Sequence, residues 1–416
     1  MAIIHAPPRY YPAISGAEFY FQRISEILGK KLQIEVHCTN ALDYKAFSDP
    51  SGKAVTSASS HEIIRGVSVF RHQIDYDQGI IDEERDLLEN ALLPEHDPGK
   101  KDIFIDGPTS RSLRLAIEQS DATLVHATCF PYENIYTALR IAKMKSIPCV
   151  VTPFIHGENP RYQLDSIKLL DQFTKVLACS NAEREYLVQH GVSAGKIDII
   201  TMGVDIEKFK DVSTAKFTDT TGVNPARHKI VLFCGYKNYE KGAVTLLKSI
   251  PSVVASVPES VFVMIGPPTM QYNMELANLG DLKKHVVNIN PASLSGYFDK
   301  LKLGAFKACH VYAMPSRSEA YGIAYLEAFS CKKPVITSNI PAMQELFHEG
   351  VEGLHVKFDD PNDLAEKLIF FLTHERERDE IGRNGYEKIA REGLTWKEVA
   401  RKISMLYTEA LSGRHG

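Results

Sequence analysis

The sequence predicts an α/β protein of two domains, each a parallel sheet flanked by helices. Three observations predict it. Short, continuously apolar runs alternate with amphipathic stretches, the pattern of βαβ units whose strands are covered on both faces. The 416 residues exceed one typical domain. A polar segment near the middle, STAKFTDTTGVNPARHK, interrupts this rhythm, which then restarts. We therefore expect one domain over residues 1–205, a second over 206–396, and a hinge region at about 205–228.

Residues 2–6, AIIHA, read as the first strand, followed by a proline-rich loop. A helix is expected from about Ala17 to Gly29, with Phe19, Ile24 and Leu28 on one apolar stripe. Further strands are expected at 32–38, 67–72, 122–128, 148–154, 176–180 and 196–202. Amphipathic stretches lie at 134–146 and at 181–191, where Gly191 stops the helix. The second half repeats the pattern with strands at 229–235, 261–267, 285–290, 310–316, 334–339 and 353–358. Past residue 375 the chain reads as helical, with the single tryptophan at Trp396 and a frayed end, SGRHG.

Composition removes several function classes. The formal net charge is -4, so no basic face for nucleic acid is expected. The seven cysteines are scattered without a CxxC, which reads as free thiols in a reducing compartment and gives no structural zinc site. The N-terminus, MAIIHAPPRYYPAIS, has no secretory pattern, and no run approaches the ~20 apolar residues of a membrane span. A cytoplasmic location is expected, with loose contact to a membrane surface left open.

Four segments carry candidate chemistry. In PAISGAEFYF, Ser15 and Glu18 fit a capping box, and Gly16 would let an anion approach the helix N-terminus; an ordinary cap fits as well. In FCGYKNYEKGA, Gly235 ends a strand and Lys237 and Lys241 occupy the loop at its carboxyl end, where ligands bind parallel sheets. A lysine there can neutralise a leaving diphosphate. In SRSEAYGIAYLEAFSCKKP, Glu319 follows a strand, Tyr321 and Gly322 open a helix, and Glu327 lies in its apolar run. Eight helical residues rise ~12 Å, more than the roughly 5–9.5 Å between hydrolase carboxylates. The two acids therefore suit separate polar ends of one long ligand, with backbone N–H groups near Tyr321 and Gly322 facing phosphates between them. In VVTPFIHGENP, His156 follows a strand and reads either as catalytic or as a satisfied structural residue.

Together and in this order, the four segments resemble the retaining glycosyltransferases of the GT-B fold, family 4, whose E-x7-E signature the third segment looks like. GVDIEKF at 203–209 and EGLHVKFDDPNDLAEKL at 352–368 look like that family too. The resemblance implies two Rossmann-like domains facing across a cleft, an acceptor-side N-terminal domain and a donor-side C-terminal one, with a terminal helix at about 397–416 packed back on the first. It implies that Glu327 binds the donor ribose and Glu319 the transferred sugar. Lys241, assisted by Lys237 or backbone donors, would meet the diphosphate. Gly16 would let the loop close on that diphosphate, and His156 would stand near the anomeric carbon. The partners implied are a nucleotide-diphosphate sugar and a sugar, lipid-linked or other hydroxyl acceptor; no cofactor and no metal is expected. Two positions depart from the family: Tyr236 stands where it places arginine, and Gly266-Pro267-Pro268 replaces a glycine-rich loop. Two further readings are a sugar-nucleotide epimerase of this fold and a non-catalytic sugar-nucleotide binder. A nicotinamide dehydrogenase is disfavoured, because no G-x-G-x-x-G follows the first strand. The acidic stretch 82–102 reads as a solvated surface in preference to an acceptor-side element.

Overall fold

The computed structural model describes residues 2–13, 15–56, 61–93 and 107–413. Residues 94–102 of the acidic stretch and 414–416 of the terminal segment lie outside the described residues. The chain divides into two units, Met1–Thr201 with Trp396–Gly416, and Met202–Thr395.

The first unit is built on an eight-stranded sheet. Its strands are β1 (Ala2–Ala6), β2 (Gln33–Thr39), β3 (His61–Ile64), β4 (Val67–His72), β5 (Ala122–Thr128), β6 (Cys149–Thr152), β7 (Lys175–Ala178) and β8 (Ile197–Ile199). Their order is β3-β4-β2-β1-β5-β6-β7-β8. Every pairing is parallel except β3–β4, an edge hairpin. Its two-residue turn, Arg65-Gly66, takes φ 51° and 85°, the left-handed pair such a turn requires. The sequence reading has no strand at β3, because His61, Glu62 and Ile63 are all exposed and leave no apolar run.

The helix Trp396–Leu411 belongs to this unit. Trp396 is buried, with its ring edge-to-face on Phe19 and Tyr20 at 5.8 and 5.6 Å. Deeper, the Tyr407 hydroxyl lies 2.9 Å from His5 Nε2 and 2.6 Å from His126 Nδ1. The other ring nitrogens meet Ser25 Oγ and Thr152 Oγ1 at 2.7 and 2.8 Å. Burial pulls His5 down to about 3 and His126 well below its ordinary value. Tyr407→Phe strips two buried ring nitrogens of their shared partner and should cost about 2–3 kcal/mol in urea unfolding.

Buried histidines set a pH dependence for this unit. His37 and His72, buried on neighbouring strands, are pulled down to about 3 and about 4. All four histidines stay neutral in the folded unit while the unfolded chain protonates near pH 6.5. Their stabilisation is complete above that pH and is lost as pH falls toward the folded values. Burial pushes Glu133 and Glu183 up to about 7, so the stability they contribute is lost in the opposite sense, as pH rises through that value. Four groups outweigh two, and the urea midpoint should fall between about pH 6.5 and pH 4.5. A midpoint that rises on acidification contradicts this balance.

The second unit carries six strands, all paired in parallel: β9 (Lys229–Cys234), β10 (Ser260–Ile265), β11 (Val286–Ile289), β12 (Val311–Ala313), β13 (Val335–Ser338) and β14 (Gly353–Val356). Their order is β11-β10-β9-β12-β13-β14. Chain direction around the sheet reverses between β9 and β12, so their carboxyl ends flank a topological switch point. The polar 205–228 segment, expected as a hinge, instead holds two short helices of this unit, Glu207–Lys210 and Ala215–Thr221. Phe209 and Phe217 anchor them, each with no exposed surface, and their burial outweighs the Ser/Thr content that suggested a linker.

The loops that follow β9 and β10 touch. Lys237 N–H donates to Pro267 O at 2.9 Å, which extends the sheet past the strand ends. Gly266 holds φ 139°, and a Cβ there would fall 1.7 Å from Gly235 O. Gly266→Ala should therefore destabilise the unit by roughly 3 kcal/mol, read as a lowered urea midpoint.

Candidate functional site

At the switch point of the second unit, sequence-distant groups converge. The helix Ala243–Ser256 starts at Gly242, whose φ of 73° and missing Cβ bring it against Pro315 O; a Cβ would lie 2.2 Å away. The loop after β9 thus lies on the loop after β12. Asn238 Oδ1 accepts Lys241 N–H at 2.8 Å and fixes the lysine's backbone. Lys241 Nζ then donates to Glu319 Oε1 at 2.8 Å, and Ser316 Oγ donates to the same oxygen at 3.0 Å. Glu319 is buried and the Lys241 side chain is 24% exposed. An ammonium has three N–H donors, and among the described residues the bond to Glu319 uses one of them.

Glu319 and Glu327 flank the start of one helix. Gly322, at φ 93°, opens the helix Ile323–Ser330 that carries Glu327. A Cβ at Gly322 would lie 2.5 Å from the Tyr325 ring. Neither this helix nor Ala243–Ser256 has a side-chain cap at its N-terminus. Their first-turn N–H groups and positive dipole ends suit an anion. Tyr321, just before Gly322, is 5% exposed.

Glu327 is 1% exposed, and Lys302 Nζ meets its Oε1 at 2.8 Å. Burial pushes the Glu327 carboxyl up, and the Lys302 charge opposes that shift. Sequence reading missed Lys302. Its helix, KLKLGAFKA, shows only a lysine between leucines, which without a known partner reads as a solvated side chain.

Lys237 lies in the loop after β9, as expected, with its own polar partner. It is buried, its Nζ donates to Asn288 Oδ1 at 2.9 Å, and it lies 5.1 Å from the Tyr272 ring centroid. Tyr272 donates its hydroxyl to the same Asn288 oxygen. Burial lowers the Lys237 ammonium to about 8. The neighbouring Tyr236 side chain is the exposed one, at 49%.

In the first unit, Gly16 opens the helix Gly16–Leu28, but the expected capping box does not form. Ser15 makes no side-chain cap, and the Glu18 carboxylate accepts Arg9 Nε at 2.7 Å instead. A buried guanidinium needs that charge more than the Ser15 amide does. His156 follows β6 and stacks on Tyr162, centroids 5.3 Å apart and planes 6° apart. Its loop is tied down by Glu183, which accepts Ile155 N–H at 2.6 Å and Cys179 N–H at 2.7 Å. Glu183 was not among the expected site residues, because its partners, the Ile155 and Cys179 amides, come together only in the fold.

Elsewhere, a depression of about 530 Å³ opens beside β13 and β14, lined by Asn339, Phe347, His355 and Lys367 among others. Lys241, Glu319 and Glu327 do not line it. All seven cysteines are unpaired. Among the described residues no cluster of three or more His, Cys, Asp or Glu is placed to hold a metal ion, and no helix is long and apolar enough to cross a membrane.

Comparison with known proteins follows the two-unit division. Residues 219–388 match the family model "Glycosyl transferases group 1", and residues 81–208 match "Glycosyltransferase Family 4". A D-inositol 3-phosphate glycosyltransferase of Paenarthrobacter aurescens is 26% identical over 67% of this chain and 67% of its own. A phosphatidyl-myo-inositol mannosyltransferase of Mycolicibacterium smegmatis is 29% identical over 51% of this chain and 52% of its own. The matched segments thus span from about half to two thirds of these relatives. Among solved structures, Anabaena Alr3699/HepE in complex with UDP and glucose has TM-score 0.72 at 17% identity, covering 98% of this chain and 100% of that one. Sucrose-phosphate synthase from Thermosynechococcus elongatus has TM-score 0.73 at 16% identity, covering both chains fully.

Proposed function

The chain belongs to the glycosyltransferases of GT-B fold and family 4 type, and from that premise we propose that it moves a sugar from a nucleotide-diphosphate sugar to an acceptor hydroxyl with retention of anomeric configuration, its C-terminal unit holding the donor. The observation that carries this reading is the Lys241–Glu319 pair, 2.8 Å apart at the β9/β12 switch point between two uncapped helix N-termini. Relatives that carry inositol phosphate or phosphatidyl-inositol in their names, and neighbours solved with UDP, support a nucleotide donor and a polar or lipid-linked hydroxyl acceptor.

The chemistry asks for stabilisation of charge on the departing diphosphate. Lys241 offers N–H donors there, with the helix N-termini adding partial positive charge. No metal ion enters the proposal, since these groups supply the positive charge that leaving-group departure requires. Glu319 orients the ammonium and accepts hydroxyls of the transferred sugar. Glu327 accepts ribose hydroxyls. The acceptor hydroxyl attacks from the face that the diphosphate leaves, and the departing phosphate takes its proton. Peripheral contact with a membrane suits a lipid-linked acceptor.

The test has two steps. A thermal-shift panel of sugar nucleotides selects the donor, and NMR of the product then reports the anomeric configuration. Retention with release of one nucleoside diphosphate per transfer supports the proposal. An inverted product overturns the mechanism. An isomerised donor without an acceptor overturns the transfer itself.

A further inference from the structure

Glu327 is the deepest acid of the proposed donor site, and its surroundings divide its two oxygens. Oε1 takes the Lys302 ammonium at 2.8 Å. Oε2 is buried and makes no hydrogen bond of its own among the described residues, while the Tyr297 hydroxyl beside the carboxylate also favours its ionised form. Lys302 comes from the helix Lys300–Ala308, is itself buried, and is the one cation paired with Glu327 among the described residues. Its Nζ lies 3.5 Å from the Tyr297 ring centroid, so an aromatic face covers the ammonium on one side. Such burial leaves the carboxylate dependent on a single charge partner, and leaves one oxygen unmatched at a cost that a ligand hydroxyl would remove.

We infer that Lys302 is a positioning residue for donor recognition: it clamps Glu327 by one oxygen and presents the other to a ribose hydroxyl of the nucleotide. The inference rests on the donor reading above and adds a residue outside the E-x7-E pattern. Lys302 does not touch the donor. It acts by holding Glu327 ionised and in one rotamer, so its loss should appear in recognition of the hydroxyl and not in recognition of the base or phosphates. A lysine that merely filled space would affect every nucleotide alike.

The test is calorimetric titration of UDP, GDP and ADP, each with its 2′-deoxy counterpart, into the full chain and into Lys302→Met. The wild-type chain should bind at least one ribonucleotide, and its deoxy form about tenfold more weakly or worse. Lys302→Met should bind that ribonucleotide about tenfold more weakly while its affinity for the deoxy form stays unchanged, so that the ratio falls to near one. A wild-type ratio kept in Lys302→Met, or equal weakening of both forms, overturns the inference. So does a wild-type chain that binds nucleotide without discriminating, in which case the donor reading stands. A wild-type chain that binds none of the three ribonucleotides overturns the donor reading instead. Should Lys302→Met fail to fold with its uncompensated carboxylate, Lys302→Met/Glu327→Gln removes both charges. That double variant should match Glu327→Gln alone, with a ratio near one, and a retained ratio there again overturns the inference.

Discussion

Lys241→Ala lowers turnover by roughly 10²–10³-fold, the usual loss when one preorganised donor to a developing negative charge is removed. Asn238 pins the lysine backbone, and Glu319, itself held by Ser316, pins the ammonium. The donor is therefore oriented before a ligand arrives, and little reorganisation remains for the chemical step. The substitution also removes the ammonium that faces Glu319, which is 7% exposed. Ser316 still donates to it and Lys241 is partly solvated, so the stability loss should be about 1–2 kcal/mol, below that of a fully buried pair. Release of free nucleoside diphosphate measures the turnover, and urea unfolding checks that the chain is folded. Near-normal turnover in a folded variant removes Lys241 from the mechanism.

Glu327→Ala is expected to act on both stability and donor binding. It leaves the Lys302 ammonium, 7% exposed, without its counter-charge, a loss of about 3–5 kcal/mol. It also deletes the acceptor for the ribose, which should weaken donor affinity by about tenfold or more. Glu327→Gln separates the two effects. The amide keeps the volume and leaves Lys302 an acceptor, but the buried ammonium still lacks its counter-charge, so only part of the stability returns, while the weaker acceptor keeps donor binding impaired. Calorimetry with the selected sugar nucleotide reads the affinity, and the urea midpoint reads the stability. Unchanged donor affinity in Glu327→Gln contradicts the assignment.

The parallel strands were legible in the sequence because they are short apolar runs buried on both faces, as KIVLFC and SVFVMI are. Strand β3 was not, since an exposed edge hairpin needs no apolar run and announces itself only through Arg65-Gly66. The 205–228 segment misled because two phenylalanines in a polar background decide its fold, and composition averages them away. The capping box at Ser15 misled differently: local spacing cannot see that Arg9 claims Glu18. Within the site, Lys241 and Glu319 stood out by their positions after strands. Their contact spans 78 residues of chain and follows only from the β9/β12 neighbourhood. Lys237 shared the same positional signal, and its hydrogen bond to Asn288 on β11 follows only from the fold. Lys302 carried no signal, as its importance lies wholly in a partner 25 residues later.

The most direct measurement is a structure of the chain with its selected sugar nucleotide bound. The account predicts the diphosphate within hydrogen-bond reach of Lys241 Nζ and a ribose hydroxyl on Glu327 Oε2. A nucleotide bound elsewhere, such as in the depression beside Phe347 and His355, contradicts it.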